Sequence, residues 1–319
     1  MSSIRGEFFK KMMRMQNINP IAHPEMEQKM KRMSQKYPHT KPKKGYTLEC
    51  LCTKNGTKYQ RLRREKVKPS GKVIYYIHGG CYISGLTYNY RDFCAPFCDL
   101  INGAEIVLLD YKLSPEYKYP IQLNEALDLW KTITTYAKPE NIIVGGDSSG
   151  GNLALAMLLK LRDENRELPC GCFFLSPWTD MTASGKSYAL NYQKDVEIGD
   201  KKGVFDEATR NKLLDSYLFE CIGDADRTNP YVSPAFADYS GFPPMMLFTG
   251  GHEMLLDDTL AVYNKAKSAG VNVRLETQPG MFHSYVLYQN HMPEISVYRR
   301  HYLVWHGRRI QLYQLACRG

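Results

Sequence analysis

The chain has no apolar run long enough to cross a bilayer, no internal repeat, and no low-complexity linker. The first absence excludes a membrane-spanning helix, because such a helix needs about 20 apolar residues. The other two exclude repeat arrays and beads on a flexible string. Cysteine occurs nine times, yet never as Cys-x-x-Cys and never beside histidine at zinc-ligand spacing. Neither a metal site nor any other cofactor is therefore expected. Acidic residues are scarce at one end only. Residues 1–72 hold 19 Lys/Arg against 5 Asp/Glu, and the remainder holds 23 against 28. Such an excess could draw an anionic membrane surface or an acidic polymer. A solvated basic face is the favoured reading, and nothing resembles a nucleic-acid-binding module. Lys10, Lys11 and Arg14 interrupt any N-terminal apolar stretch, so a secretory leader is not expected. With scattered, odd-numbered cysteines this places the chain in a reducing cytoplasm.

What is present is an alternation of buried-strand and amphipathic-helix patterns over 319 residues. The predicted class is α/β, one mostly parallel sheet covered by helices on both faces. Lys54-Asn55-Gly56-Thr57 reads as a hairpin turn between Tyr46–Thr53 and Lys58–Arg64, giving the sheet an antiparallel entry. Residues 123–136 read as an amphipathic helix. Cys50 with Cys52, and Cys94 with Cys98, read as small core residues. Two helix-like segments stand outside the alternation: residues 1–45 and an insertion at about 183–227. Ile4, Phe8, Phe9, Met12, Met13 and Met15 gather apolar mass in the first. It reads equally as a lid over a pocket or as an ordinary packing helix.

The most informative segment is Ile142-Ile143-Val144-Gly145-Gly146-Asp147-Ser148-Ser149-Gly150-Gly151, followed by an apolar helical stretch. Strand, Gly-x-Ser-x-Gly and helix in that order build a nucleophile elbow with Ser148 at its apex. A Gly/Ser-rich connector without chemistry is the bland alternative for the pentapeptide alone. A serine nucleophile also needs a base, an acid that orients it, and donors for an oxyanion. Upstream, Val73–Ile77 reads as a strand ending in His78-Gly79-Gly80-Cys81, where glycines leave backbone N–H groups accessible. Downstream, strand Met245–Thr249 runs into His252, Glu253, Asp257 and Asp258. Strand Val273–Thr277 runs into Met281-Phe282-His283. Acid and base candidates thus follow strand C-termini, the edge where open α/β sheets bind ligands.

These segments, with Asp110-Tyr111-Lys112-Leu113-Ser114-Pro115-Glu116, Leu175–Asp180 and Asn229–Pro234, occur in the order found in bacterial hormone-sensitive-lipase-like carboxylesterases. The chain resembles that branch of the α/β-hydrolases from about Tyr46 to beyond His283. The resemblance implies an α/β-hydrolase fold with residues 46–319 as catalytic domain. Residues 1–45 and the insertion at 183–227 would form a helical cap. It implies Ser148 as nucleophile, Glu253 as acid, His283 as base, and Gly79, Gly80 and Ser149 as oxyanion donors. It implies a small-molecule ester as substrate and short acyl chains, with an amidase or aryl formamidase as the rival and a non-catalytic receptor as a remoter one. A homodimer is compatible with it. Two departures stand out. Cys81 replaces a glycine of the oxyanion loop, and Glu253 stands where many members carry Asp. Asp257 competes for the acid role, although Asp257 or Asp258 also suits the N-cap of the next helix. His78 precedes the nucleophile and reads as a loop-holding residue, and His252 as structural or exposed. His291, His301 and His306 read as a solvated helix face rather than a metal site.

Overall fold

Among the described residues eight strands form one sheet, and their sequence explains both its centre and its edges. The protein is described from a computed structural model covering residues 4–15, 17–36 and 41–288; the three histidines at 291, 301 and 306 lie outside these. The strands are β1 (Tyr46–Cys52), β2 (Lys58–Arg64), β3 (Val73–Ile77), β4 (Glu105–Asp110), β5 (Ile142–Asp147), β6 (Gly171–Leu175), β7 (Met245–Gly250) and β8 (Val273–Gln278). They lie in the order β1-β2-β4-β3-β5-β6-β7-β8. Only β2 runs against its neighbours; the rest of the ladder is parallel. Strands β3 and β5 are buried from end to end and rich in Val, Ile and Tyr, as the middle of a two-sided sheet requires. Edge strands β1 and β8 alternate between half-buried and exposed positions. That corrects the expectation for Cys50 and Cys52, which are exposed on β1, whereas Cys94 and Cys98 are buried.

The helices are α1 (Ile4–Met15), α2 (Met26–Lys36), α3 (Tyr88–Leu100), α4 (Ile121–Ile133), α5 (Ser148–Asp163), α6 (Lys186–Leu190), α7 (Glu207–Leu214) and α8 (Leu256–Ser268). Alternate strand residues feed two cores. Tyr75, Val107, Leu109 and Val144 pack with α4 and α5 on one face. Ile74, Tyr76, Ile106, Leu108 and Ile143 pack with α3 on the other. This is the period-two pattern of a strand covered on both sides. Helix α4 begins at Ile121, directly after Pro120, earlier than the apolar periodicity indicated.

Phe9 and Met13 of α1 are buried on the second core, and the Phe9 ring packs on Phe282 and Tyr288. Phe8 and Met15, also counted as apolar mass, face outward at 71% and 81% exposure. The basic excess is partly partnered within the fold. Arg61 pairs with Glu49, Arg63 with Glu105, Arg64 with Asp99 and Lys43 with Asp92. Such part-exposed pairs are each worth only about 0–1 kcal/mol, so they orient the hairpin more than they stabilise it. No helix among the described residues is long and apolar enough to cross a membrane.

Candidate active site

Strand β5 is the sheet's centre, and its C-terminus is where the chain turns hardest. Ser148, the first residue of α5, sits at φ +50°, a left-handed conformation that costs a non-glycine residue energy. The flanking glycines make that turn sterically feasible. A Cβ on Gly146 would stand 2.6 Å from the Gly150 carbonyl oxygen, and one on Gly150 would stand 2.2 Å from the Ile77 carbonyl oxygen. Backbone thus approaches backbone where only hydrogen can fit. The first-turn N–H groups of α5, Ser149 among them, lack helical acceptors and favour negative charge beside the serine.

Two loops converge on Ser148. The loop after β8 brings His283, whose Nε2 lies 2.9 Å from Ser148 Oγ and 3.2 Å from Ser284 Oγ. The loop after β7 brings Glu253, whose Oε2 lies 3.6 Å from His283 Nδ1. The glutamate's other oxygen accepts a short hydrogen bond from the Thr249 hydroxyl. At 3.6 Å the Glu–His contact is longer than a full hydrogen bond. Sites of this kind are often loose before substrate binds. Both side chains are buried. Burial alone would push the imidazole down. Glu253 outweighs it, helped by Glu197 and Asp195, and His283 is lifted to about 9.

Asp257 does not reach this constellation. Its Oδ2 accepts from the Ser187 N–H at 2.9 Å, tying α8 to α6. Nor is it a helix N-cap, since α8 begins at Leu256 with Leu255 in the cap position. Asp258 is likewise inside the first turn, accepting from the Thr179 and Asp180 N–H groups. Both carboxylates are spent on tying α8 to the chain after β6.

The oxyanion loop corrects one expectation. The Gly79 N–H donates to Asp147 Oδ1 at 3.0 Å, so it is engaged inside the fold and does not point at a substrate. No acceptor takes the Gly80 or Cys81 N–H among the described residues, which moves the available donors one residue along. Asp147 also accepts from Tyr76 Oη at 2.8 Å and thereby clamps the loop to the elbow. Its own burial raises it to about 6. Cys81 adopts φ +56° and is buried, which pushes its thiol up to about 12 and keeps it un-ionised. His78 is fully buried, contacts the Gly79 carbonyl through Nδ1 at 2.7 Å and stacks on Tyr111 at 4.3 Å. Burial lowers it to about 4, so it is a neutral structural histidine. His252 is exposed.

Sequence reasoning missed the supports behind the triad-like set. Asn152 accepts from Tyr82 Oη and donates to the Trp178 and Val232 carbonyls, joining α5 to the oxyanion loop and to the chain after β6. In the insertion, Asn191 donates to the Glu253 and Gly251 carbonyls. Asp195 accepts from the Met254 N–H at 2.9 Å and from the Glu197 and Ile198 N–H groups. That turn is held in place by the N-terminal segment. Asn17 Nδ2 donates to the Val196 and Gly199 carbonyls, and Asn19 Nδ2 to the Ile198 carbonyl. The Ile18 N–H donates to the Glu197 carbonyl at 2.8 Å. Asn17-Ile18-Asn19-Pro20 carries a turn signature, but its partners lie more than 170 residues away.

A family model described as the alpha/beta hydrolase fold matches residues 74–287. An esterase of Acinetobacter venetianus is 31% identical over 239 residues, covering 73% of this chain and 75% of its own. The chain belongs to the α/β-hydrolase family. The hydrolase is also 30% identical to an acetyl-hydrolase of Streptomyces hygroscopicus, over 72% of this chain and 74% of that one. Among solved structures, an esterase from the bacterial hormone-sensitive lipase family superposes with a TM-score of 0.79 at 25% identity, covering 99% of this chain and 98% of its own. An esterase/lipase from an uncultured bacterium gives 0.78 at 26% over the same shares. These likenesses place the hydrolase in the hormone-sensitive-lipase-like carboxylesterase branch.

Proposed function

We propose that the hydrolase is a serine carboxylesterase acting on short-chain acyl esters of small molecules through Ser148, His283 and Glu253. The observation that carries this reading is the 2.9 Å contact between Ser148 Oγ and His283 Nε2 at a positive-φ elbow. Glu253 behind the imidazole and the esterase relatives agree with it. His283 takes the Ser148 proton as Oγ attacks the ester carbonyl. Glu253 stabilises the forming imidazolium and holds the tautomer that leaves Nε2 free to accept. The N–H groups of Gly80, Cys81 and Ser149 receive the developing oxyanion. His283 then protonates the departing alkoxide, and a water molecule, deprotonated by the same imidazole, releases the acid from Ser148.

Residues 1–45 and 183–227 form the cap in this reading, supported by the contacts of Asn17, Asn19, Asn191 and Asp195 around the acid loop. The scattered, odd-numbered cysteines carry the accompanying proposal of a reducing cytoplasm. Ser148→Ala should abolish hydrolysis and labelling by a serine-directed phosphonate while the thermal melt is retained. Labelling that persists in the variant refutes the nucleophile assignment. Rates on acetyl, butyryl, octanoyl and palmitoyl esters, below and above the micellar limit, test chain length. A rate jump at the interface with palmitoyl preferred refutes the short-chain reading.

A further inference from the structure

Two hydroxyls stand against His283 Nε2, and the hydrolytic steps use only one of them. Ser148 Oγ lies 2.9 Å from that nitrogen and Ser284 Oγ 3.2 Å. Both serines are buried. Ser284 reaches the imidazole of its own chain neighbour from a backbone at φ +52°, the left-handed region that costs a non-glycine residue energy. Two hydrogen bonds hold it there. The Ser284 N–H donates to Ser176 Oγ at 3.1 Å, and its carbonyl accepts from the Leu287 N–H at 3.0 Å. Ser176 directly follows β6, is itself at φ +45°, and donates its N–H to the Phe248 carbonyl of β7 at 2.7 Å. Strain of this kind persists where the surroundings over-determine it, and it gathers at working sites. Glycine would adopt the same conformation freely, so the backbone alone does not call for serine. What serine adds is the hydroxyl on Nε2.

The chemistry of that nitrogen indicates what the second hydroxyl does. In the esterase reading the resting imidazole carries its proton on Nδ1, toward Glu253. Nε2 then offers one lone pair, and the closer Ser148 hydroxyl takes it. Once Ser148 has given up its proton, Nε2 bears an N–H and the ring is cationic. The Ser284 hydroxyl can rotate to present a lone pair to it. A hydrogen bond from a charged donor is about twice as strong as a neutral one, so this contact favours the charged ring. Burial opposes that cation, while Glu253, Glu197 and Asp195 favour it through their charges, as does Asp147 at the end of β5. Ser284 differs from these in touching the nitrogen that holds the travelling proton.

We propose that Ser284 is a positioning residue for the base: its hydroxyl accepts a hydrogen bond from the Nε2–H of the His283 cation formed as Ser148 attacks, and holds ring and proton in place until the departing alkoxide takes that proton. The proton passes from Ser148 Oγ to Nε2 and on to the alkoxide oxygen, while Ser284 keeps its own hydrogen throughout. The proposal rests on the esterase reading and adds a residue to its chemistry.

The test separates the hydroxyl from the backbone. Ser284→Ala removes the hydroxyl and keeps the strain, whereas Ser284→Gly removes both. Each is compared with wild type on ethyl butyrate, with active sites counted by phosphonate titration. Both variants should lose about tenfold in kcat with KM within about twofold, the size expected for a hydrogen bond to a charged group. The acid limb of kcat/KM should move to lower pH by roughly one unit, because the neutral base is favoured once the acceptor is gone. A second measurement reads the ring without turnover. In a Ser148→Ala background, proton NMR of the His283 ring should show its titration moving the same way when Ser284→Ala is added. Ser284→Gly serves in both measurements if the alanine variant fails to fold. A glycine variant as active as wild type, or a lower kcat with the acid limb and the ring titration unmoved, makes Ser284 a loop residue only and overturns the proposal while the esterase reading stands. Wild type that neither hydrolyses the ester nor takes the phosphonate overturns both.

Discussion

Asp195→Asn probes whether the insertion holds the loop of the proposed acid, Glu253, or merely covers it. The wild-type carboxylate is fully buried and accepts three backbone N–H groups, those of Met254 at 2.9 Å, Glu197 at 3.0 Å and Ile198 at 3.3 Å. Asparagine keeps the size but only one acceptor oxygen, so at least one buried N–H must face an amide NH2. An unsatisfied buried donor costs about 1–3 kcal/mol. The amide escapes the burial cost that raises the wild-type carboxyl, which offsets part of this. A net loss of about 1–2 kcal/mol should lower the melting temperature by a few degrees. The larger effect should be catalytic. Met254 adjoins Glu253, and displacing a catalytic group by about 1 Å costs on the order of a hundredfold. We expect kcat, normalised to phosphonate-titrated sites, to fall about 10–100-fold with KM within about twofold. The acid limb of the pH profile should move to lower pH, because one of the charges that lift His283 is gone. A lowered melting temperature with kcat and the pH limb unchanged would show Asp195 to be a packing residue only.

Glu253→Gln should reduce turnover by orders of magnitude with little change in the melt, whereas Asp257→Asn should cost about 1 kcal/mol of stability through the Ser187 contact and spare the chemistry; the reverse pattern refutes the choice of acid. In wild type, kcat/KM should rise with pH through a value above 6.5 and toward about 9, since the base must be neutral and its carboxylate neighbours favour the cation; a limb at or below 6.5 refutes this. By linkage, the same raised value stabilises the fold fully below 6.5, and that contribution is lost as pH climbs toward about 9; denaturant midpoints across that window measure it. Gly150→Ala should prevent native folding, because its Cβ would meet the Ile77 and His78 carbonyl oxygens at 2.2 and 2.3 Å; a soluble, active variant would refute the steric account of the elbow.

How much of this was legible in the sequence depended on the range of each interaction. The hairpin at Asn55-Gly56, the central strands and the elbow are local patterns, and the structure has them where the residues indicated. Chain order pointed His283 towards Ser148, because both follow the C-terminal ends of parallel strands, β8 and β5, at the same edge of the sheet. Residue type and spacing alone left Asp257 as a rival to Glu253, which only the family resemblance favoured; the structure puts Glu253 in the loop before α8 and Asp257 inside the helix's first turn. The Gly79 donor was misassigned for a similar reason. Its engagement with Asp147 depends on a contact across 68 residues. The supports from Asn17, Asn19, Asn191 and Asp195 are single polar residues in unremarkable contexts, and no periodicity marks a residue whose partner lies on another element.

The proposed nucleophile and its partners sit on parts of the fold with unequal resistance to opening. Ser148 joins the fully buried β5 to a helix with thirteen buried residues, whereas His283 follows the half-exposed edge strand β8. Local opening begins where buried apolar contacts are few. Amides of β8 should therefore exchange with deuterium long before those of β5 and α5. Mild heat or denaturant should silence the hydrolase reversibly while its central sheet remains intact, so that enzymatic assays would register a transition earlier than circular dichroism does. A serine left upright on a disarmed scaffold regains its base as soon as the edge re-zips, which makes inactivation and unfolding two separate events in this molecule.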